Sequence, residues 1–204
     1  MIRKTFAIFA ALACLFTAQA FALDTDYRPY MTIGGGASVL NEKDVTLAGV
    51  GYSLSSEVGF NGFVGYGLEY QAGRVEFTLG YLTTDLDEIK AATGGATTDL
   101  NGELDVATFL VSVYYDFNRD GAVSPYFGGG IGAAAVKLND SILTDGEDNA
   151  FAYQFGLGLT FNMSENTKLD LGYRLLGYAE AELGSTTQES TALHSGNAAL
   201  RFIF

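Results

Sequence analysis

Among its 204 residues the chain has no tryptophan, two prolines, one histidine and one cysteine, and only 11 basic residues face 24 acidic ones. Each scarcity excludes something. The cysteine, Cys14, lies in an N-terminal stretch that is expected to be removed, so the rest can form neither a disulfide nor a thiolate metal site. The acidic balance argues against a nucleic-acid partner, whose phosphates call for Lys and Arg. Beyond the N-terminal stretch no apolar run approaches the roughly 20 residues that a spanning helix needs. Helix-period segments, linkers, motif-length repeats and low-complexity tails are missing as well. What is plentiful is glycine (26), phenylalanine (15) and tyrosine (12), a mixture that suggests β structure.

The first residues carry their own signal. Arg3 and Lys4 precede an apolar core from Ala7 to Phe16. Ala18-Gln19-Ala20 and Ala20-Phe21-Ala22 then place small residues where a signal peptidase reads them. Residues 1–22 are expected to be a secretory signal peptide cleaved after Ala20 or Ala22, too short to span a membrane as an anchor. A lipid-modified Cys14 would want leucine three places earlier, where Ala11 stands. Losing Arg3 and Lys4 takes the net charge from −13 to −15. Residues 23–204 are enough for one domain.

Alternation of period two recurs along that domain. It predicts eight strands near 28–40, 57–70, 74–84, 103–117, 124–138, 150–163, 167–181 and 191–204, each long enough to cross a membrane as a tilted strand. The links between them alternate in length. "QAG", "NRDGAV" and "SEN" are hairpin-sized, whereas "NEKDVTLAGVGYSLSS", "DLDEIKAATGGATTDLNG", "NDSILTDGEDN" and "GSTTQES" are long and polar. Short turns on one rim, long loops on the other and both termini on the short side fit an up-and-down transmembrane barrel. The expected fold class is therefore all-β, an eight-stranded antiparallel barrel.

The two faces of each strand say which side is inside. Tyr153, Phe155, Leu157, Leu159 and Phe161 alternate with Gln154, Gly156, Gly158, Thr160 and Asn162. Polar faces rich in Gly, Ser, Thr and paired charge suit the interior of a narrow closed barrel, so the apolar faces are expected to meet lipid. Pro29 and Pro125 stand at the starts of strands, where a missing N–H costs least. Without tryptophan, an aromatic girdle would rest on residues such as Tyr30, Tyr66, Tyr70, Tyr81, Tyr115, Tyr126 and Phe204.

The terminal "HSGNAALRFIF" alternates Ala198, Leu200, Phe202 and Phe204. Here the sequence resembles the outer-membrane β-barrel proteins of Gram-negative bacteria. "PYFGGGIGAAA" and "FAYQFGLGLTFNMSENTKLDLGYRLL" are similar to the opacity-type, porin-like branch of that superfamily. The resemblance covers most of the mature chain and is strongest after residue 124. It implies an outer-membrane location among lipid and lipopolysaccharide, and recognition of Phe202 and Phe204 by the barrel-assembly machinery. It is specific for architecture and weak for activity.

Candidate chemistry is sparse. His194 and Ser195 are adjacent and so point to opposite faces, which rules out a nucleophile–base pair between them. Asp85, Asp87 and Glu88 form one acidic cluster, and Asp140, Asp145, Glu147 and Asp148 another. "TDGEDN" lacks the spacing of a calcium loop, so the bland reading is solvated loop charge. "GGG" at 34–36 and 128–130 lies within strands and no helix follows, so close packing explains it better than phosphate binding. The sequence thus predicts no enzyme, cofactor or metal.

A structural set does emerge. Glu69, Glu76, Asp116 and Asp170 with Arg74, Lys168, Arg174 and Arg201 fall on inward positions, most of them near the short-turn rim. The upper lumen would offer mainly Gly65, Gly80, Gly132, Gly156, Asn61, Thr78 and Thr108. The expectation is a paired-charge plug on the periplasmic side and any cavity opening outward. The function expected is structural or surface-interacting, adhesin- or surface-antigen-like, through the long loops. A small pore for ions or solutes is the alternative, and a lipid-modifying enzyme built on His194 a distant third.

Overall fold

The computed structural model describes the backbone at residues 27–40, 43–47, 50–56, 58–91, 97–139, 146–178, 181–183, 186–188 and 191–204. Side chains are described at 27–39, 58–84, 103–137, 149–178 and 192–204. The expected signal peptide lies outside these residues.

Twelve strands are described: β1 (Arg28–Leu40), β2 (Lys43–Leu47), β3 (Val50–Ser56), β4 (Gly59–Tyr70), β5 (Gly73–Ala91), β6 (Thr97–Asp116), β7 (Val123–Asn139), β8 (Gly146–Asn162), β9 (Thr167–Tyr178), β10 (Ala181–Leu183), β11 (Thr186–Gln188) and β12 (Thr191–Ile203). Eight of them, β1, β4 to β9 and β12, pair in antiparallel order, and β12 returns to β1 to close an eight-stranded barrel. The other four form the hairpins β2–β3 and β10–β11 on the long-loop rim.

The register fixes the geometry of closure. Starting at Arg28 and stepping across each ladder, one meets Glu69, Arg74, Tyr114, Gly128, Gly156, Arg174 and Ser195 before returning to β1 at Ser38. The walk ends ten residues further along β1, a stagger that tilts the strands and winds the inward residues into a rising spiral. No sheet edge is left along the barrel wall itself.

Lipid-facing residues are large and apolar. Leu157 is 58% exposed, and Ile33, Phe77, Val113, Ile131 and Phe155 are exposed on the same outer wall. Their inward neighbours are buried, as Thr32, Glu76, Thr78, Ser112 and Thr160 are. At the short rim Gln71 and Asn118 take φ of 49° and 48°. A left-handed residue lets the chain reverse in few residues, and Asn adopts it more readily than Gln.

Three expectations need correcting. First, β5 to β8 are 17 to 20 residues long, well beyond the ~9–11 that crossing requires. Much of "DLDEIKAATGGATTDLNG" is ladder, with Glu88 against Asp99 and Lys90 against Thr97, and β3 adds to the same edge. Second, Tyr30 and Tyr126 are not girdle residues. They share inward parity with Thr32 and Ser124, and Tyr30 is wholly buried.

The third correction concerns the upper lumen: the expected Asn61, Gly80 and Thr108 do line it, but beside them it is closed by apolar side chains. Leu82, Leu104, Val106, Val136, Leu176 and Leu193 belong to one buried cluster there. The reason is a change of solvent. Within the bilayer the outside is hydrocarbon, so apolar residues point out. On the projecting part of β6 the code inverts: Leu104 and Val106 are buried, while Glu103 is exposed and Asp105 half-buried on the outer side. Above the membrane the barrel is organised like a water-soluble one, with burial of apolar area holding it together.

Candidate functional site

Among the described residues, the buried charges lie in the lumen below that apolar layer. Arg201 on β12 is wholly buried and grips Asp170 of β9 at two points, Nε to Oδ2 at 3.1 Å and Nη2 to Oδ1 at 2.7 Å. Such a fork is the strongest arrangement available to a guanidinium and a carboxylate. Thr160 also donates to Asp170. Arg201 Nη1 lies 3.4 Å from Glu69 and 3.9 Å from Asp116, which makes it the hub of the cluster.

Arg74 on β5 pairs with Asp116 and Asp170, each at 3.4 Å. Its guanidinium lies between two tyrosine rings, 4.5 Å from the centre of Tyr114 and 4.8 Å from that of Tyr126. Glycines make room for those rings. A Cβ at Gly128 would meet Tyr114 Cγ at 2.8 Å, and one at Gly158 would meet Tyr126 Cζ at 2.8 Å. Gly128 on β7 and Gly158 on β8 thus leave room for the buried cation–π contacts of Arg74.

Glu69 on β4 collects four cations. Arg28 lies 2.8 Å away, Lys168 3.6 Å and Arg201 3.4 Å, and Arg119 is in direct contact. Arg28 and Arg119 were not among the residues singled out by parity. Arg28 opens β1 and is half exposed, and Arg119 sits in the "NRDGAV" turn, where period two gives no signal. A turn arginine beside an inward carboxylate was the only available hint.

The eight expected lumen residues all point inward, but they are not all brought together. Glu76 accepts from Thr32 and Thr78, each at 3.0 Å. Arg174, higher on β9, has no carboxylate within 4 Å among the described residues. Its guanidinium lies 4.1 Å from the centre of the Phe63 ring. Between the charged cluster and the apolar layer are two cavities of about 40 and 30 Å³, and Arg174 lines both.

His194 lies on the opposite, outer wall in contact with the Tyr173 hydroxyl through Nδ1. Ser195 faces the lumen and donates to the Arg174 carbonyl at 3.2 Å. The two are thus held apart by the barrel wall. Phe202 and Phe204 are exposed on the lipid side of the last strand. The acidic clusters of the two long loops have side chains outside the described residues.

A closed wall with an apolar exterior, a charge-paired lower lumen and strands prolonged past one rim defines a barrel of the bacterial outer membrane. The chain belongs to the outer membrane protein beta-barrel domain family, whose model matches residues 8–202. It is 26% identical over 94 residues to "Outer membrane protein PagN" of Salmonella typhimurium, a match covering 42% of this chain and 39% of PagN. It is 23% identical over 185 residues to "Putative adhesin RC1281" of Rickettsia conorii, covering 81% of this chain and 74% of that protein. In fold it is similar to Neisserial surface protein A, with a TM-score of 0.54, 17% identity, and coverage of 87% of this chain and 96% of the other. The match to PagN thus spans about two-fifths of that relative's length.

Proposed function

We propose that this protein is a surface-interaction barrel, adhesin- or antigen-like, and neither a pore nor an enzyme. The observation that carries this reading is the prolongation of β5 to β8 over a lumen filled by apolar side chains. A transport pathway gains nothing from an apolar fill continuous with the extracellular wall. A platform that must stand rigid in water does gain from one, because a folded extension loses less entropy on binding than a flexible loop.

The chemistry of the platform narrows its partner. Residues 41–57, 83–106, 137–149 and 179–190 together carry sixteen carboxylates against three lysines. That excess favours a basic protein surface, or contacts bridged by divalent cations, and disfavours polyanions. The name of the Rickettsia relative agrees with the surface-interaction reading. The His194–Tyr173 contact supports a positioning role at the outer wall, and Ser195 points away from it into the lumen. Lipid and lipopolysaccharide would surround the barrel, and the assembly machinery would read Phe202 and Phe204.

The test is a binding screen on whole cells displaying the protein. Intact barrels should bind basic protein surfaces in a salt-sensitive way. Barrels whose residues 85–102 and 140–148 are replaced by short turns should fold and lose that binding. Equal binding by both, or none by the intact form above an empty-vector control, would contradict the proposal.

A further inference from the structure

Resting on the surface-interaction reading above, we propose that the free edge of β2 takes an extended, basic segment of a partner protein by strand addition. Closure of the wall stops short of the strand tips. The β1–β12 ladder ends at the pair of Leu40 and Leu193. Above it, among the described residues, β2 pairs with β3 on one side and with nothing on the other. The β10–β11 hairpin does not fill that place. Its strand β11 pairs with β10, and β10 lies against β8, which β9 and β12 separate from β1.

Strand β2 is thus the last member of a sheet that stands beyond the bilayer. Behind it β3 pairs with β5 from Tyr52 to Ser56, and β5 pairs with β6 as far as Lys90 opposite Thr97. Those ladders hold β2 extended before any partner arrives, which lowers the entropy lost on binding. Leu47 and Val50 close a two-residue connection and so bond to each other. The alternation of an antiparallel ladder then turns the N–H and C=O groups of Thr46 and Asp44 to the open side. A row of unpaired backbone groups in water is a template for another strand. Neither proline nor a register shift blunts it, because "KDVTL" runs against β3 without interruption from Lys43–Leu54 to Leu47–Val50.

Charge selects the occupant. Residues 41–57 and 85–102, which supply most of this sheet, carry seven carboxylates against Lys43 and Lys90. A second copy of the chain would bring the same excess to the same edge and be repelled, whereas a lysine- or arginine-rich segment is drawn to it. Backbone pairing would supply the affinity and the acidic sheet the choice of partner.

Two labelled peptides of equal length and charge test this on the purified mature protein in detergent micelles. One repeats Lys-Val and can pair as a strand; the other repeats Lys-Pro and lacks the N–H groups to do so. The wild type should bind Lys-Val at least about tenfold more tightly than Lys-Pro. Thr46→Pro removes one outward N–H without changing charge, and proline is tolerated on a sheet edge. It should keep the heat-modifiable gel shift, bind Lys-Pro as before and bind Lys-Val no better. Should that variant fail to fold, the wild type alone decides. Carbon-13 carbonyls of bound Lys-Val should then show the infrared band of a paired strand. Equal binding of the two peptides, an unpaired carbonyl band, or a Lys-Val preference that survives in folded Thr46→Pro would overturn strand addition and leave a charge-driven surface standing. A dimer of the wild type that Thr46→Pro abolishes would overturn it too, by giving the edge to a second copy. Loss of binding to both peptides together with a negative whole-cell screen would remove the surface-interaction reading itself.

Discussion

Arg201 is wholly buried and bound to Asp170 through two hydrogen bonds, so these residues should lose stability as a unit. In a double-mutant cycle of Arg201→Met with Asp170→Asn, followed by urea unfolding in detergent micelles, we expect a coupling of roughly 1–3 kcal/mol. Asp170→Asn combined with Arg174→Gln should be additive within about 0.5 kcal/mol, since no ion pair joins that couple. The opposite ranking would show that the guanidinium of Arg174 reaches down into the cluster. Period two was enough to turn all eight charged residues inward, yet it could not say which would touch. Contacts across a barrel depend on stagger, which no single strand reveals. Arg119 was invisible for another reason, since turn residues have no face.

On the scale of strands, the alternation of β6 carries two messages along one parity. Phe109, Val111, Val113 and Tyr115 point to lipid, yet Asp105 and Glu103 on the same side meet water, and Val106 and Leu104 become the buried set. Reading one code from end to end placed the lipid wall correctly and missed the apolar upper lumen. The missing premise was physical. The outside changes from hydrocarbon to water part-way along the strand, and the preferred face changes with it. Leu157→Arg, on the lipid wall, should cost roughly 2–4 kcal/mol if it sits near the midplane, read from the heat-modifiable shift. Val106→Asp should cost at least ~2 kcal/mol by burying an unpaired charge, whereas Asp105→Leu, which gives up a hydrogen bond from the Tyr81 hydroxyl at 2.6 Å, should cost only about 0.5–1.5 kcal/mol. A tolerated Val106→Asp would argue that the upper lumen is wet.

For the whole molecule, the alternation of short and long links predicts the orientation, with the prolonged strands expected on the cell exterior. Single cysteines at Thr98 and Gly146 should react with an impermeant reagent on intact cells, and those at Ala72 and Glu165 should not. Equal labelling of the two sets would contradict the orientation. The same architecture closes the lumen twice, by paired charge near the short-turn rim and by apolar side chains above, with two small cavities between these layers. Conductance across planar bilayers is the most direct test of a sealed barrel that works through its outer surface. The purified wild-type protein should insert and show no steady current, and removing the apolar layer by Val106→Ala with Leu193→Ala should leave the charged plug still blocking. A sustained single-channel current through the wild type would contradict the account.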